Sequence, residues 1–140
     1  MLGRTQQRKQ RKMKNLAVAF SALCVTFMGC SVTDLGDELL ILRSSVATAT
    51  LTNQSTSQVT FLARASWFNG CGRFARAEIT RNASSFFITI YGMQPKDAVC
   101  TQAFILFPAP VTIQIPSGGT YTFKFWRTDS TSYDTTLTIK

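Results

Sequence analysis

Histidine is absent from the 140-residue chain, and only seven of its residues are acidic. The first absence excludes Ser-His-Asp and Cys-His nucleophile systems, histidine general bases and every histidine-containing metal site. The second leaves few carboxylates for acid–base work, and nothing in their spacing sets two of them across one cleft as glycoside hydrolysis requires. An Asp/Asn calcium loop and a phosphate-binding glycine loop are also missing. The sequence therefore reads as non-enzymatic, with no cofactor and no metal. It also lacks an apolar run of the roughly 20 residues that a spanning helix needs.

What is present is an uneven charge. The formal total is +8, from 15 Lys and Arg against the seven acids. Arg4, Arg8, Lys9, Arg11, Lys12 and Lys14 stand in the first 29 residues with no acid among them. From residue 30 onward nine bases face all seven acids, a balance of only +2. The mature part thus offers no strong case for nucleic acid.

After Lys14 comes an apolar stretch, Leu16 to Met28, about 13 residues long and apolar all round, then Gly29-Cys30 and a polar segment. A basic region, a short apolar core and a small residue at the junction make a secretory signal peptide. Met13-Lys14-Asn15 is a second natural start for it. Phe27-Met28-Gly29-Cys30-Ser31 resembles the lipobox of bacterial lipoproteins. The resemblance implies cleavage before Cys30, a diacylglyceryl group on its sulfur, and a membrane anchor of several acyl chains, which holds where one would be marginal. Ser31, rather than Asp, implies export to the outer membrane if the host has one. The alternative is ordinary cleavage nearby with Cys30 left as a thiol.

On that reading Cys24 is discarded, Cys30 is lipidated, and Cys71 and Cys100 remain in a compartment where disulfides persist. One bridge between them closes a loop of about 30 residues and contributes roughly 3–4 kcal/mol by chain entropy.

From residue 45 the apolar pattern has a period of two, the mark of strands. Runs begin at Val46, Val59, Ala75, Phe86, Val111, Tyr121 and Tyr133, with Ala103–Phe107 a further candidate. Asn, Gly, Pro and Ser clusters separate them. The fold expected is all-β: an antiparallel two-sheet sandwich of about seven strands behind a signal-peptide helix. The organisation expected is signal peptide 1–29, lipidated Cys and tether 30–44, and sandwich 45–140. Within the tether, Leu35, Leu39 and Leu42 suit one face of a helix; alternatively, Leu39 to Leu42 suit an edge strand. Pro108-Ala109-Pro110 reads as a turn, and Val111–Ile115 with Tyr121–Trp126 reads as the clearest hairpin. The mature part resembles the immunoglobulin-like sandwiches of small envelope lipoproteins, although the spacing of Trp67 and Cys71 departs from the usual core pattern.

Two groups of side chains could bind a ligand. Arg64, Arg73, Arg76 and Arg81 gather near Trp67, Phe68 and Phe74, as a patch for an acidic glycan or lipid headgroup or simply as solvated faces with Arg76 beside Glu78. Trp126, Tyr91 and Phe87 fall on the polar sides of their strands, open to sugar rings or a partner protein or else covered by another strand. The site residues expected from these are Trp67, Arg73, Arg76 and Trp126. The function expected is a lipid-anchored structural or binding module for an envelope protein or glycan. The alternative is a secreted protease inhibitor or chaperone-like sandwich acting through Trp67–Arg73.

Overall fold

A computed structural model describes residues 38–140. The expected signal peptide and the expected lipidation site, Cys30, lie outside the described residues. The described residues form eight strands and no helix: β1 (Leu39–Ser44), β2 (Val46–Gln54), β3 (Gln58–Trp67), β4 (Arg73–Asn82), β5 (Ser85–Pro95), β6 (Ile105–Gln114), β7 (Gly119–Thr128) and β8 (Thr131–Ile139). They make a two-sheet sandwich. One sheet orders β2-β3-β6; the other contains β4, β5, β1, β7 and β8.

The alternation in the sequence becomes two faces. On β3, Val59, Phe61, Ala63, Ala65 and Trp67 point inward and are buried. On β7, Tyr121, Phe123 and Phe125 do the same. Phe61 meets Phe123 and Phe125 between the sheets, with ring centroids 5.0 and 5.3 Å apart. Each such ring, fully removed from water, stabilises the fold by about 1.5–3 kcal/mol.

One open alternative is decided and three expectations change. Leu39–Leu42 are strand, part of β1, paired antiparallel with β5. Pro108 and Pro110 are no turn; they stand inside β6, on an edge of its sheet where a missing N–H is tolerated. The expected hairpin is absent: β6 pairs with β3, while β7 pairs with β5 and β8. The period-two pattern shows which face of a strand is apolar but not which strand lies beside it. Here both inner faces line the same core from opposite sheets. Finally, the sheets are not wholly antiparallel, because β5 and β7 run parallel over Ser85–Ile88.

That parallel pairing shapes the molecule. β4 covers one edge of β5 along its length. The other edge is shared end to end, by β7 at Ser85–Ile88 and by β1 at Ile90–Pro95. Arg127 fastens the junction to the second sheet, donating from Nε to the Val46 carbonyl at 2.9 Å and from Nη2 to Ala47 at 3.3 Å.

Cys71 and Cys100 are bonded, with Cα atoms 5.5 Å apart. The bridge ties the β3–β4 loop to the β5–β6 loop, helped by the Gly70 N–H donating to the Thr101 carbonyl at 3.0 Å.

Candidate functional site

The side chains that β1, β4, β5, β7 and β8 do not bury form one outer face. Strand register sets its rows. Arg76 stands opposite Tyr91, and Thr80 opposite Phe87, between β4 and β5. Phe87 stands opposite Lys124 between β5 and β7, and Lys124 opposite Asp134 between β7 and β8. Arg43, on β1, also stands opposite Tyr91.

Between β5, β7, the β7–β8 turn and the start of β8, the face dips into a groove of about 320 Å³. Phe87, Thr89, Lys124, Trp126, Asp129 and Ser132 are among its lining residues. Phe87 is 44% exposed. The Arg43 guanidinium lies 4.8 Å from the Trp126 ring centroid and reaches Asp129 at 3.4 Å. This is cation–π packing at an exposed site.

Every cation beside the aromatic groups here has an acidic partner. Lys124 donates to Asp134 at 2.7 Å, and Ser132 donates to the same carboxylate. These bonds, Lys124 first, hold Asp134 below the usual carboxylate range. Arg76 donates to Glu78 at 2.8 Å while lying 4.1 Å from the Tyr91 ring centroid. The Tyr91 hydroxyl donates to the other Glu78 oxygen at 2.9 Å. Arg76, then Tyr91, lowers the Glu78 pKa, and the bond to Glu78 raises that of Tyr91. The face is locally neutral, and its chemistry is aromatic surface bordered by hydroxyls and compensated charges. Among the described residues no group of three or more Cys, Asp or Glu side chains could hold a metal ion.

The four residues expected to bind separate into different surroundings. Trp126 lines the groove. Arg76 lies on the same face, engaged by Glu78. Arg73 is exposed at the start of β4, outside that groove. Trp67 is a correction: it is buried, its indole N–H donates to Gln94 Oε1 at 2.6 Å, and its ring packs on Phe68 and Phe107. A buried ring with its one donor satisfied presents nothing to a ligand. Sequence reasoning missed Arg43, Lys124, Asp129 and Asp134. Lys124 and Asp134 alternate with apolar residues and were visible as outward-facing, but only strand register brings them together.

Residues 62–139, more than half of the chain, match the model of a family described as the ORF11 beta-sandwich domain. The matched span takes in Phe87, Lys124, Trp126 and Asp134 and leaves out Arg43. No curated protein and no solved structure matches the chain.

Proposed function

The chain belongs to the ORF11 beta-sandwich domain family, and from that premise we propose a non-enzymatic binding module of a bacterial envelope, anchored by lipid on Cys30. The observation that supports binding is the outer-face groove, where Phe87 and Trp126 border hydroxyl and carboxylate groups. An aromatic surface covers the C–H face of a sugar ring, while flanking polar groups fix its hydroxyls. Because Arg43, Arg76 and Lys124 are each paired with an acid, the groove suits a neutral envelope glycan. We also read the sandwich as a variant of the immunoglobulin-like class, with a buried Trp near a disulfide and a parallel β5–β7 pairing as its departure.

Support for the location comes from the sequence: the basic block, the short apolar run and Gly29-Cys30. Export to the outer membrane follows from Ser31 if the host has one. The second reading, an inhibitor or chaperone-like protein using Trp67–Arg73, is disfavoured because Trp67 belongs to the core.

Two measurements test the proposal. Intact mass of the membrane-extracted protein is expected to show a chain starting at Cys30 with acyl mass, and Cys30→Ser is expected to release it. A mature chain starting elsewhere without acyl mass overturns the anchor. Trp fluorescence, titrated with neutral and acidic oligosaccharides, reads the groove. A neutral saccharide is expected to change the emission, and Trp126→Phe to remove the change. No response to any saccharide, or a response that survives Trp126→Phe, overturns the glycan reading.

A further inference from the structure

Large apolar side chains are exposed very unevenly along the sandwich. Of the nine exposed among the described residues, seven lie toward the end that carries the Cys71–Cys100 bridge. Leu39, Ile41 and Leu42 stand on β1, where the chain joins the sandwich, and Leu106 stands at the start of β6. Phe68, Val99 and Phe104 project from the two bridged loops; Val99 is fully exposed and Phe104 is 75% exposed. The opposite end is built differently. Its connections, residues 55–57, 83–84 and 115–118, are mostly Ser, Thr, Pro and Gly and hold no exposed large apolar residue, and the two remaining exposed ones, Ile79 and Phe87, stand within β4 and β5 in that half.

Burial does not explain the placement. Within the fold Val99 and Phe104 face water, and isolated apolar residues on a surface are ordinary whereas a concentration of them marks a contact. The bridge holds these loops in place, so the apolar tips are presented by ordered backbone.

We propose that this end seats on a lipid bilayer, with Phe68, Val99 and Phe104 entering the interfacial region. The choice of occupant rests on the lipid-anchor reading given above. Glu38 enters the sandwich at this same end, its carbonyl accepting from the Lys96 N–H at 2.8 Å and its carboxylate from the Lys96 ammonium. Cys30 stands eight residues earlier. An extended backbone of that length spans at most about 28 Å. An acyl group on Cys30 therefore keeps the bridged end near the bilayer, and the apolar tips face the surface to which the tether leads. The groove of Phe87 and Trp126 lies on the side of the sandwich and stays open to ligand in that orientation.

Photolabelling tests the seat. The full chain, extracted from membranes, is reconstituted in vesicles of phosphatidylethanolamine and phosphatidylglycerol doped with a diazirine phospholipid, and the labelled peptides are mapped. Label is expected on the peptides that contain Phe68 and residues 99–106. The double substitution Val99→Ser with Phe104→Ser is expected to reduce it by about tenfold, the effect of withdrawing two partly buried apolar side chains. Both residues are exposed, so the variant's thermal unfolding is expected to match the parent's. An acylated chain whose label stops short of the bridged loops overturns the seat. The same spectra report acyl mass on Cys30. An unacylated chain still labelled at 99–106 keeps the seat and overturns only the anchor; an unacylated chain labelled nowhere overturns both.

Discussion

The indole N–H of Trp67 donates to Oε1 of Gln94 at 2.6 Å, and both residues are buried. The bond joins the end of β3 in one sheet to β5 in the other. Trp67→Phe keeps most of the ring packing but leaves the Gln94 oxygen without its partner. A buried acceptor without a donor costs about 1–3 kcal/mol. Denaturant unfolding is expected to show that loss in the midpoint with little change in slope. A Trp67→Phe protein as stable as the parent contradicts this account of the pair.

The same ring explains two glycines. A Cβ on Gly72 falls 2.1 Å from Trp67 Cγ, and one on Gly92 falls 2.4 Å from Trp67 Cζ3 and 2.8 Å from Ser44 Oγ. A ring held on both sides cannot yield, so Gly92→Ala overpacks the core and is expected to cost about 1–3 kcal/mol. In a Trp67→Leu background the added methyl has room. The two substitutions together are then expected to cost less than their sum, as for residues in direct contact. Strict additivity in a double-mutant cycle counts against the clash.

Removing the bridge tests how far the loops depend on it. Replacing Cys71 and Cys100 by Ser together is expected to cost about 2–4 kcal/mol, since the bond restricts the unfolded chain. Hydrogen exchange is expected to rise most at 68–72 and 96–104, with the β3–β6 pairing still protected. An unchanged melting temperature contradicts a structural role.

Tyr91 and Glu78 give a prediction in pH. The bond to Glu78 raises the Tyr91 pKa above the ordinary tyrosine value of about 10. A raised folded value means that the contact's contribution is complete below the ordinary tyrosine range and is lost as pH rises through the folded pKa. For Glu78 the folded value is lowered, so its contribution is present above the ordinary carboxylate range and is lost as pH falls. The pair is exposed, so absorbance is a better readout than stability. Phenolate absorbance of the Glu78→Gln protein is expected to show the Tyr91 step moved to lower pH than in the parent. A titration curve unchanged by Glu78→Gln contradicts the bond.

Particular residues show how much of this was legible in the sequence. Val59 to Ala65 and Tyr121 to Phe125 announced buried strand faces, because side-chain direction in a strand depends only on parity. Phe87 and Trp126 announced an outer aromatic surface by the same rule. Pairing depends on long-range register, which parity does not carry. So the chain from Val111 to Trp126 read as a hairpin, although Val111 pairs with Phe61 and Tyr121 with Leu137. Trp67 sat at the end of an alternating run beside arginines. Its burial depends on Gly72 and Gly92, which leave room for the ring, and nothing near it in sequence shows that. In the sequence Arg43 reads as part of a tether, and only the end-to-end sharing of β5 brings it over Trp126.

Pro108 and Pro110, misread as a turn, make a prediction of their own. The Ile115 N–H donates to the Ser57 carbonyl, which continues the β3–β6 ladder and assigns the odd-numbered residues of β6 to the hydrogen-bonded pairs. Even-numbered residues then direct their backbone outward, along the open edge of the three-stranded sheet. At 108 and 110 that edge carries proline and so no N–H donor. Edge strands left with a full row of donors and acceptors recruit other chains, and proline is one way to prevent it. Replacing both prolines by Thr restores two outward donors without disturbing any bond to β3. The variant is expected to fold with the same strand content and to self-associate at concentrations where the parent does not, as light scattering and sedimentation would show. A double variant as free of association as the parent contradicts this role for the prolines.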